Sequence, residues 1–198
     1  MSFPDFAAWP GMVLHPSDRT GGAGPYHFET PAWHANYLTK HRIAAAIHPS
    51  TIIEVGVRFG YSAHAFLSAC PGARYIGVDV DSAEFNAMGA PTCDWAFAML
   101  RRTIPGFPHL ELIRVDTQQV DIAPLVPEAE FIHIDAAHSY AGATRDLEAL
   151  WPKCLRAMLV DDYFGTGSVH DAVKAFVGRH GATLLTAPSQ NGEALIFR

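Results

Sequence analysis

The chain has 198 residues, of which 49% are hydrophobic and 17% charged, and its formal net charge is −6. This length and composition suit one domain with a well-buried core. The negative charge argues against general binding to nucleic acid or to an anionic membrane surface, both of which attract basic proteins. No apolar run approaches the roughly 20 residues of a membrane span, and the N-terminus has no positively charged leader. We therefore expect a cytoplasmic protein with no nucleic-acid partner and no membrane partner.

Residues 1–35 are predicted to form an irregular arm, because prolines, glycines and aromatic residues interrupt any helical or strand period there. Such an arm can close over a pocket as a lid or pack against a second subunit, which would make the protein a homodimer. Apolar residues at helical spacing in HANYLTKHRIAAAI then predict a helix that ends before His48-Pro49. Residues 36–198 are expected to form a single domain.

From residue 51 onwards, predicted strands alternate with predicted helices. Apolar runs predict strands at TIIEVGV, RYIGVDV, LELIRVD, EFIHIDA and RAMLVDD, and helices at about 62–69, 82–103, 120–125, 142–150 and 169–180. The runs ATLLTAP and EALIFR, joined by SQNG, predict a hairpin. This order indicates an α/β fold with three layers and a mostly parallel seven-stranded sheet that ends in an antiparallel hairpin.

The first predicted strand runs into a glycine turn, EVGVRFGYS, which contains Gly56 and Gly60. Arg58 stands where the second glycine of GxGxxG would let a pyrophosphate approach the backbone, so a dinucleotide is disfavoured. Asp79 ends the second strand, 23 residues after Gly56. A carboxylate at that position is typical of sites that bind both hydroxyls of a ribose.

These motifs, IIEVGVRFGYSA, YIGVDVD, IRVD, FIHIDAAHSYAGATRDLEALWP and VDDY, resemble those of class I S-adenosylmethionine-dependent methyltransferases. More narrowly, they are similar to small-molecule O-methyltransferases related to the macrolide-sugar (macrocin-type) enzymes. The resemblance covers about residues 50–198 and implies the Rossmann-like methyltransferase fold. It also implies the cofactor contacts: Glu54, Gly56, Gly60 and Ser62 at the methionine end, Asp79 at the ribose and Asp116 at the adenine.

The chain departs from this family at Ala137, where relatives carry the second aspartate of an Asp-Gly-Asp motif. Some relatives use an acid there as the base, and that role cannot be carried over to an alanine. His138 is the remaining candidate for the base.

Three carboxylates end the fourth and fifth predicted strands, which would be neighbours in the sheet: Asp135, Asp161 and Asp162. Unpaired carboxylates in one cleft raise each other's pKa, and a hard divalent cation such as Mg²⁺ removes the conflict. A hydroxyl bound to such a cation is easier to deprotonate, and His138 could take the proton.

The sequence therefore predicts an enzyme that uses S-adenosylmethionine and Mg²⁺ to methylate a hydroxyl of a small molecule, such as a sugar or natural-product intermediate. Vicinal oxygens would suit a cation, which favours a diol or catechol-like acceptor. Three alternatives remain open: a metal-independent methyltransferase with His138 as base, a non-catalytic module that binds S-adenosylmethionine, and a nucleotide-binding oxidoreductase.

Overall fold

A computed structural model describes residues 31–82, 91–106, 109–189 and 191–198. In these ranges the five longer helices and seven strands alternate as the sequence predicts. In chain order the elements are α1 (Pro31–Ile47), β1 (Thr51–Val55), α2 (Tyr61–Ala69), β2 (Arg74–Asp79), α3 (Cys93–Thr103), β3 (Leu110–Arg114), a 3₁₀ turn (Ala123–Leu125), β4 (Ala129–Ile134), α4 (Tyr140–Leu150), a second 3₁₀ turn (Trp151–Lys153), β5 (Cys154–Val160), α5 (Gly167–His180), β6 (Thr183–Ala187) and β7 (Glu193–Phe197).

The strands form one seven-stranded sheet in the order β3-β2-β1-β4-β5-β7-β6. Neighbours among β1 to β5 pair in parallel, whereas β7 pairs antiparallel with both β5 and β6. The predicted α/β fold, with its mostly parallel sheet and C-terminal hairpin, is confirmed. Because β7 runs against β5, the start of β7 lies beside the end of β5.

Helices cover both faces of the sheet, which is why the central strands are apolar on both sides. Ile52 and Phe131 pack on the same side as α1, α2 and α3, whereas Ile53 and Ile132 pack on the side of α4 and α5. Strand residues alternate between the faces, so Glu54 falls on the side of α1. It is paired in register with His133 of β4.

Several predicted boundaries differ from the structure. Helix α1 begins at Pro31, so the predicted boundary between arm and domain, at residue 35, falls inside a helix. The predicted arm up to residue 30 lies outside the described residues, as do residues 83–90 of the predicted helix at 82–103. The helix predicted at 120–125 is a single 3₁₀ turn, Ala123–Leu125, with a proline in its first turn.

The three cysteines, Cys70, Cys93 and Cys154, are buried free thiols. Of the helices that the structure describes, none has the length and apolarity needed to cross a membrane.

Candidate active site

A cavity of about 630 Å³ opens at the carboxyl ends of the parallel strands. Small-molecule and cofactor sites typically measure about 300–1,000 Å³, so the cavity has room for a ligand of that size. Eight of the predicted site residues line it: Gly56, Ser62, Asp79, Asp116, Asp135, His138, Asp161 and Asp162. The other two, Glu54 and Gly60, lie behind its wall.

The turn after β1 passes unusually close to the end of β4. Gly56 has a φ of 89°, and a Cβ added there would lie 2.0 Å from the carbonyl oxygen of Asp135. Only glycine combines this backbone conformation with so close an approach. Gly60, with a φ of 70°, precedes α2 and packs against Ala96. The glycines therefore shape the turn, and Gly56 brings it against the strand that carries Asp135.

Asp79 connects the end of β2 to this turn. Its Oδ2 atom accepts hydrogen bonds from the backbone N–H groups of Val57, at 2.7 Å, and Arg58, at 3.0 Å. Its Oδ1 atom accepts one from the N–H of Asp81, at 2.6 Å. A carboxylate oxygen can accept more than one hydrogen bond, so these contacts are compatible with the predicted ribose contact, which stays a prediction.

The loop after β3 forms another part of the wall. Asp116 Oδ1 accepts a hydrogen bond from the backbone N–H of Gln118, at 2.8 Å, which stabilises a tight turn. Asp116, Thr117 and Gln118 all line the cavity. The predicted contact between Asp116 and adenine stays a prediction.

At the opposite end of the cavity, His138 lies between two carboxylates. Its Nε2 atom is 3.1 Å from Asp162 Oδ2 and 3.6 Å from Asp135 Oδ1. Asn191, from the turn before β7, donates a hydrogen bond of 2.6 Å to Asp162 Oδ1. Ser139, which follows His138 in the chain, caps α4 by accepting a hydrogen bond from the N–H of Gly142. These contacts position the imidazole, which is half-exposed to the cavity.

The surroundings of this end raise the pKa values of two neighbouring groups. Burial and the neighbouring Asp161 raise the pKa of Asp135 to about 7. The Asp135 carboxylate in turn raises the pKa of His138 above its ordinary value. Perturbed pKa values of this kind are typical of groups that take part in acid–base chemistry.

A lysine of α1 also reaches the end of the cavity that contains His138. Lys40 is completely buried, and its Nζ atom donates to Asp161 Oδ2 at 2.9 Å and to Glu193 Oε1 at 2.5 Å. Burial alone would lower the pKa of Lys40, but these carboxylates raise it well above its ordinary value. Burial alone would raise the pKa of Asp161, but the Lys40 ammonium group lowers it to about 2. Lys40 and Asp161 therefore form a charged pair.

Further polar contacts extend from Lys40 under the cavity towards the glycine turn. Lys40 Nζ is 3.4 Å from His133 Nε2, and His133 Nδ1 is 2.9 Å from Glu54 Oε1. The hydroxyl of Tyr75 donates to the other oxygen of Glu54. Burial raises the pKa of Glu54 to about 8. The carboxyl group of Glu54 therefore contacts Tyr75 and His133 behind the cavity wall. Its predicted contact with the cofactor stays a prediction.

Comparison with known proteins agrees with this arrangement. A family model described as a methyltransferase domain matches residues 53–163, which is more than half of the chain. The chain belongs to this methyltransferase family. The matched segment begins in β1 and ends just after Asp161 and Asp162, so it spans both ends of the cavity. A search of curated proteins found no match.

Solved structures of methyltransferases share the fold. A putative caffeoyl-CoA O-methyltransferase from Staphylococcus aureus is 15% identical, with a TM-score of 0.66 and 82% of each chain covered. An O-methyltransferase from Bacillus cereus in complex with SAH is 14% identical, with a TM-score of 0.59, covering 97% of this chain and 85% of its own. TomG from Streptomyces achromogenes, in complex with SAM, is 15% identical, with a TM-score of 0.59 and coverages of 82% and 78%. At these identities the likeness shows the fold.

The acidic end of this methyltransferase can be tested for its fit to a divalent cation. Among the described residues, two groups of three have ligand atoms within 4.8 Å of one another: Asp135 with His138 and Asp162, and Asp135 with His133 and Asp161. Both oxygens of Asp161 are already bonded, Oδ2 to Lys40 and Oδ1 to the N–H of Asp162. The carboxylates of Asp135 and Asp162 face the cavity and are the ligand type that Mg²⁺ prefers, so the donor set fits such an ion there.

Three residues of this end were missed in the sequence. Lys40 lies on the same helical stripe as the buried Asn36, Tyr37 and Ala44, so its spacing did signal burial. Asn191 and Glu193 were assigned only to a hairpin. The signal was the antiparallel direction of the last strand, which brings its start to the edge where β5 ends.

Proposed function

We propose that this methyltransferase transfers a methyl group from S-adenosylmethionine to a hydroxyl oxygen of a small molecule, with Mg²⁺ bound at the acceptor end of the cavity. One observation carries the proposal. A single cavity joins the glycine turn, Asp79 and Asp116 to the acid–base cluster around His138. Cofactor and acceptor can therefore lie in one enclosed space, as direct transfer requires.

The cofactor is assigned to the end formed by β1, β2 and β3. Asp79 offers its carboxylate to a ribose, and Gly56 lines the same part of the cavity. The structures of TomG and of the Bacillus cereus enzyme, which have the same fold, are complexes with SAM and SAH. Both observations support S-adenosylmethionine as the methyl donor.

The reaction forms an O–CH₃ bond and breaks the S–CH₃ bond, leaving S-adenosylhomocysteine. The acceptor hydroxyl loses its proton as the bond forms, and a positioned base accelerates such a step by about 10²–10⁴-fold. His138 is the group placed to take this proton. Asp135 and Asp162, on either side of its Nε2 atom, stabilise the imidazolium that results.

A divalent cation would make the acceptor hydroxyl more acidic and would orient it. Asp135, Asp161 and Asp162 are its predicted ligands, and the contacts of the site favour Asp135 and Asp162. An ion held by two carboxylates has positions left for substrate oxygens, so we expect an acceptor with vicinal oxygens, such as a diol or catechol-like group.

A second candidate, metal-independent transfer with His138 as base, is favoured by one specific contact. The Lys40 ammonium group already pairs with Asp161, so part of the negative charge that would attract a cation is neutralised within the protein. The two candidates differ in one outcome, since removal of divalent ions abolishes activity only in the first.

The test combines binding and turnover. Protein treated with EDTA is titrated with S-adenosylhomocysteine, and methyl transfer to a panel of diols and catechols is measured with and without Mg²⁺. His138→Gln should lower kcat by about 100-fold or more and leave the affinity for S-adenosylhomocysteine unchanged. His170→Gln is the matched control, because His170 contacts Asp171 rather than the cavity.

Each result has a distinct meaning. Failure to bind S-adenosylhomocysteine would overturn the cofactor assignment. Binding without transfer to any acceptor would favour the non-catalytic module. Full turnover of the His138 variant would remove this residue as the base, and turnover that persists in EDTA would select the metal-independent candidate.

A further inference from the structure

The ion pair between Lys40 and Asp161 has properties unlike those of a surface salt bridge. The ammonium group is shielded from solvent, and Asp161 retains only a small exposed fraction, 13% of its side chain. Breaking a buried pair is costly because it leaves an uncompensated charge inside the protein. The pair is therefore a permanent part of the acceptor end of the cavity.

This pair also places a positive charge directly against Asp161. The Oδ2 atom lies 2.9 Å from Lys40 Nζ, and the Oδ1 atom accepts the backbone N–H of Asp162 at 2.8 Å. The carboxylates of Asp135 and Asp162 instead lie near His138, and Asp162 also accepts a hydrogen bond from the neutral amide of Asn191. The three acidic residues are thus divided into one that is paired directly with a lysine ammonium group and two that lie beside His138.

We propose that Lys40 is a positioning residue that acts as a built-in cation: it holds Asp161 out of the coordination shell of a divalent ion, so that Asp135 and Asp162 alone hold that ion. This inference rests on the proposed function for its relevance to methyl transfer. Its physical basis is that a fixed positive charge within a few ångströms of a ligand repels a second cation. The bound ion is consequently held weakly and exchanges readily.

Glu193 provides the reference variant for a test of this idea. It is fully buried, and burial raises its pKa well above the ordinary value, so glutamine is a close substitute in shape. Glu193→Gln keeps Lys40 on Asp161. Lys40→Met/Glu193→Gln removes the ammonium group together with its buried partner and releases Asp161. The two variants differ only at Lys40.

The experiment measures binding of Mn²⁺, a paramagnetic substitute for Mg²⁺, by electron paramagnetic resonance. Wild type and both variants are compared, each saturated with S-adenosylhomocysteine. The double variant should bind Mn²⁺ at least about tenfold more tightly than Glu193→Gln, since the repelling charge is gone and a third carboxylate is free. Glu193→Gln should bind no more tightly than wild type. Thermal unfolding and the affinity for S-adenosylhomocysteine confirm that each variant is folded.

A purely structural role of Lys40 predicts the opposite sign, because a loosened site binds an ion less well. The proposal is overturned if the double variant binds Mn²⁺ no better than Glu193→Gln, whether both bind it or neither does. If the double variant is unfolded, Lys40→Gln/Glu193→Gln, which retains a hydrogen-bond donor, replaces it under the same criterion. Failure of the proposed function is recognised separately, by the loss of S-adenosylhomocysteine binding or of methyl transfer in the wild type.

Discussion

Gly56→Ala tests whether the contact between the glycine turn and β4 holds the two ends of the site together. Two costs are expected. A φ of 89° is unfavourable for alanine, by about 1–2 kcal/mol. The new Cβ would also lie 2.0 Å from the carbonyl oxygen of Asp135. Since Val55 and Ile134 are paired in the sheet, the strands cannot separate freely, and overpacking of this kind costs about 1–3 kcal/mol. The free energy of unfolding should fall by about 2–5 kcal/mol in total.

Gly106→Ala is a matched control. Gly106 has the same φ of 89°, but no described atom lies within 4 Å of the Cβ position, so this variant carries only the backbone cost. Urea denaturation of both variants then separates the backbone term from the steric term. Because the displaced carbonyl belongs to Asp135, Gly56→Ala should also weaken S-adenosylhomocysteine binding and methyl transfer. Equal destabilisation of the two variants, or unchanged ligand affinity in Gly56→Ala, would refute the reasoning.

Three other variants probe separate parts of the site. Asp79→Ala should raise the Kd for S-adenosylhomocysteine at least about tenfold and lower the melting temperature, since the turn amides lose a charged acceptor; calorimetry showing wild-type affinity would contradict this. Asn191→Ala should lower kcat without changing cofactor affinity, because Asp162 loses the amide that orients it; the opposite pattern, an intact kcat with weakened cofactor binding, would place Asn191 elsewhere. Glu54→Gln should change the pH dependence of stability. The pKa of Glu54 is about 8 in the folded protein against 4.5 ordinarily, so its contribution is full below pH 4.5 and is lost as the pH rises towards 8. Relative to the glutamine variant, wild type should therefore lose at most about 5 kcal/mol over that window in urea titrations; a constant difference between the two would show that Glu54 ionises normally.

The sequence predicted most of the wall of the cavity because the wall follows from topology. Once strands and helices alternate, the sheet is parallel and the carboxyl ends of its strands share one edge. Residues that end a strand, such as Asp79, or immediately follow one, such as Asp135 and Asp161, must then lie near one another. The side-chain partners of these residues were harder to predict from the sequence. Asp161, for example, was expected to repel its neighbours and is instead paired with Lys40.

The position of Lys40 depends on how a helix docks on the sheet, which local patterns do not determine. A lysine is almost never fully buried unless it is paired with an opposite charge. Its position on an apolar stripe therefore predicts burial only weakly until its partners are known. Those partners come from β5 and β7, more than 120 residues later in the chain. Glu54 illustrates the same limit, since its buried contact with His133 depends on the register of β1 with β4, which local patterns do not determine.

The place of β7 between β5 and β6 has a consequence for synthesis of the protein. Domains form from the N-terminus as the ribosome proceeds, at about 5–20 residues per second. The strands around the cofactor end could pair while the chain is still growing, but Asn191 and Glu193 arrive with the last hairpin. Until then Lys40 lacks one of its two carboxylate partners. The acceptor end of the cavity is therefore completed only when the last hairpin is in place.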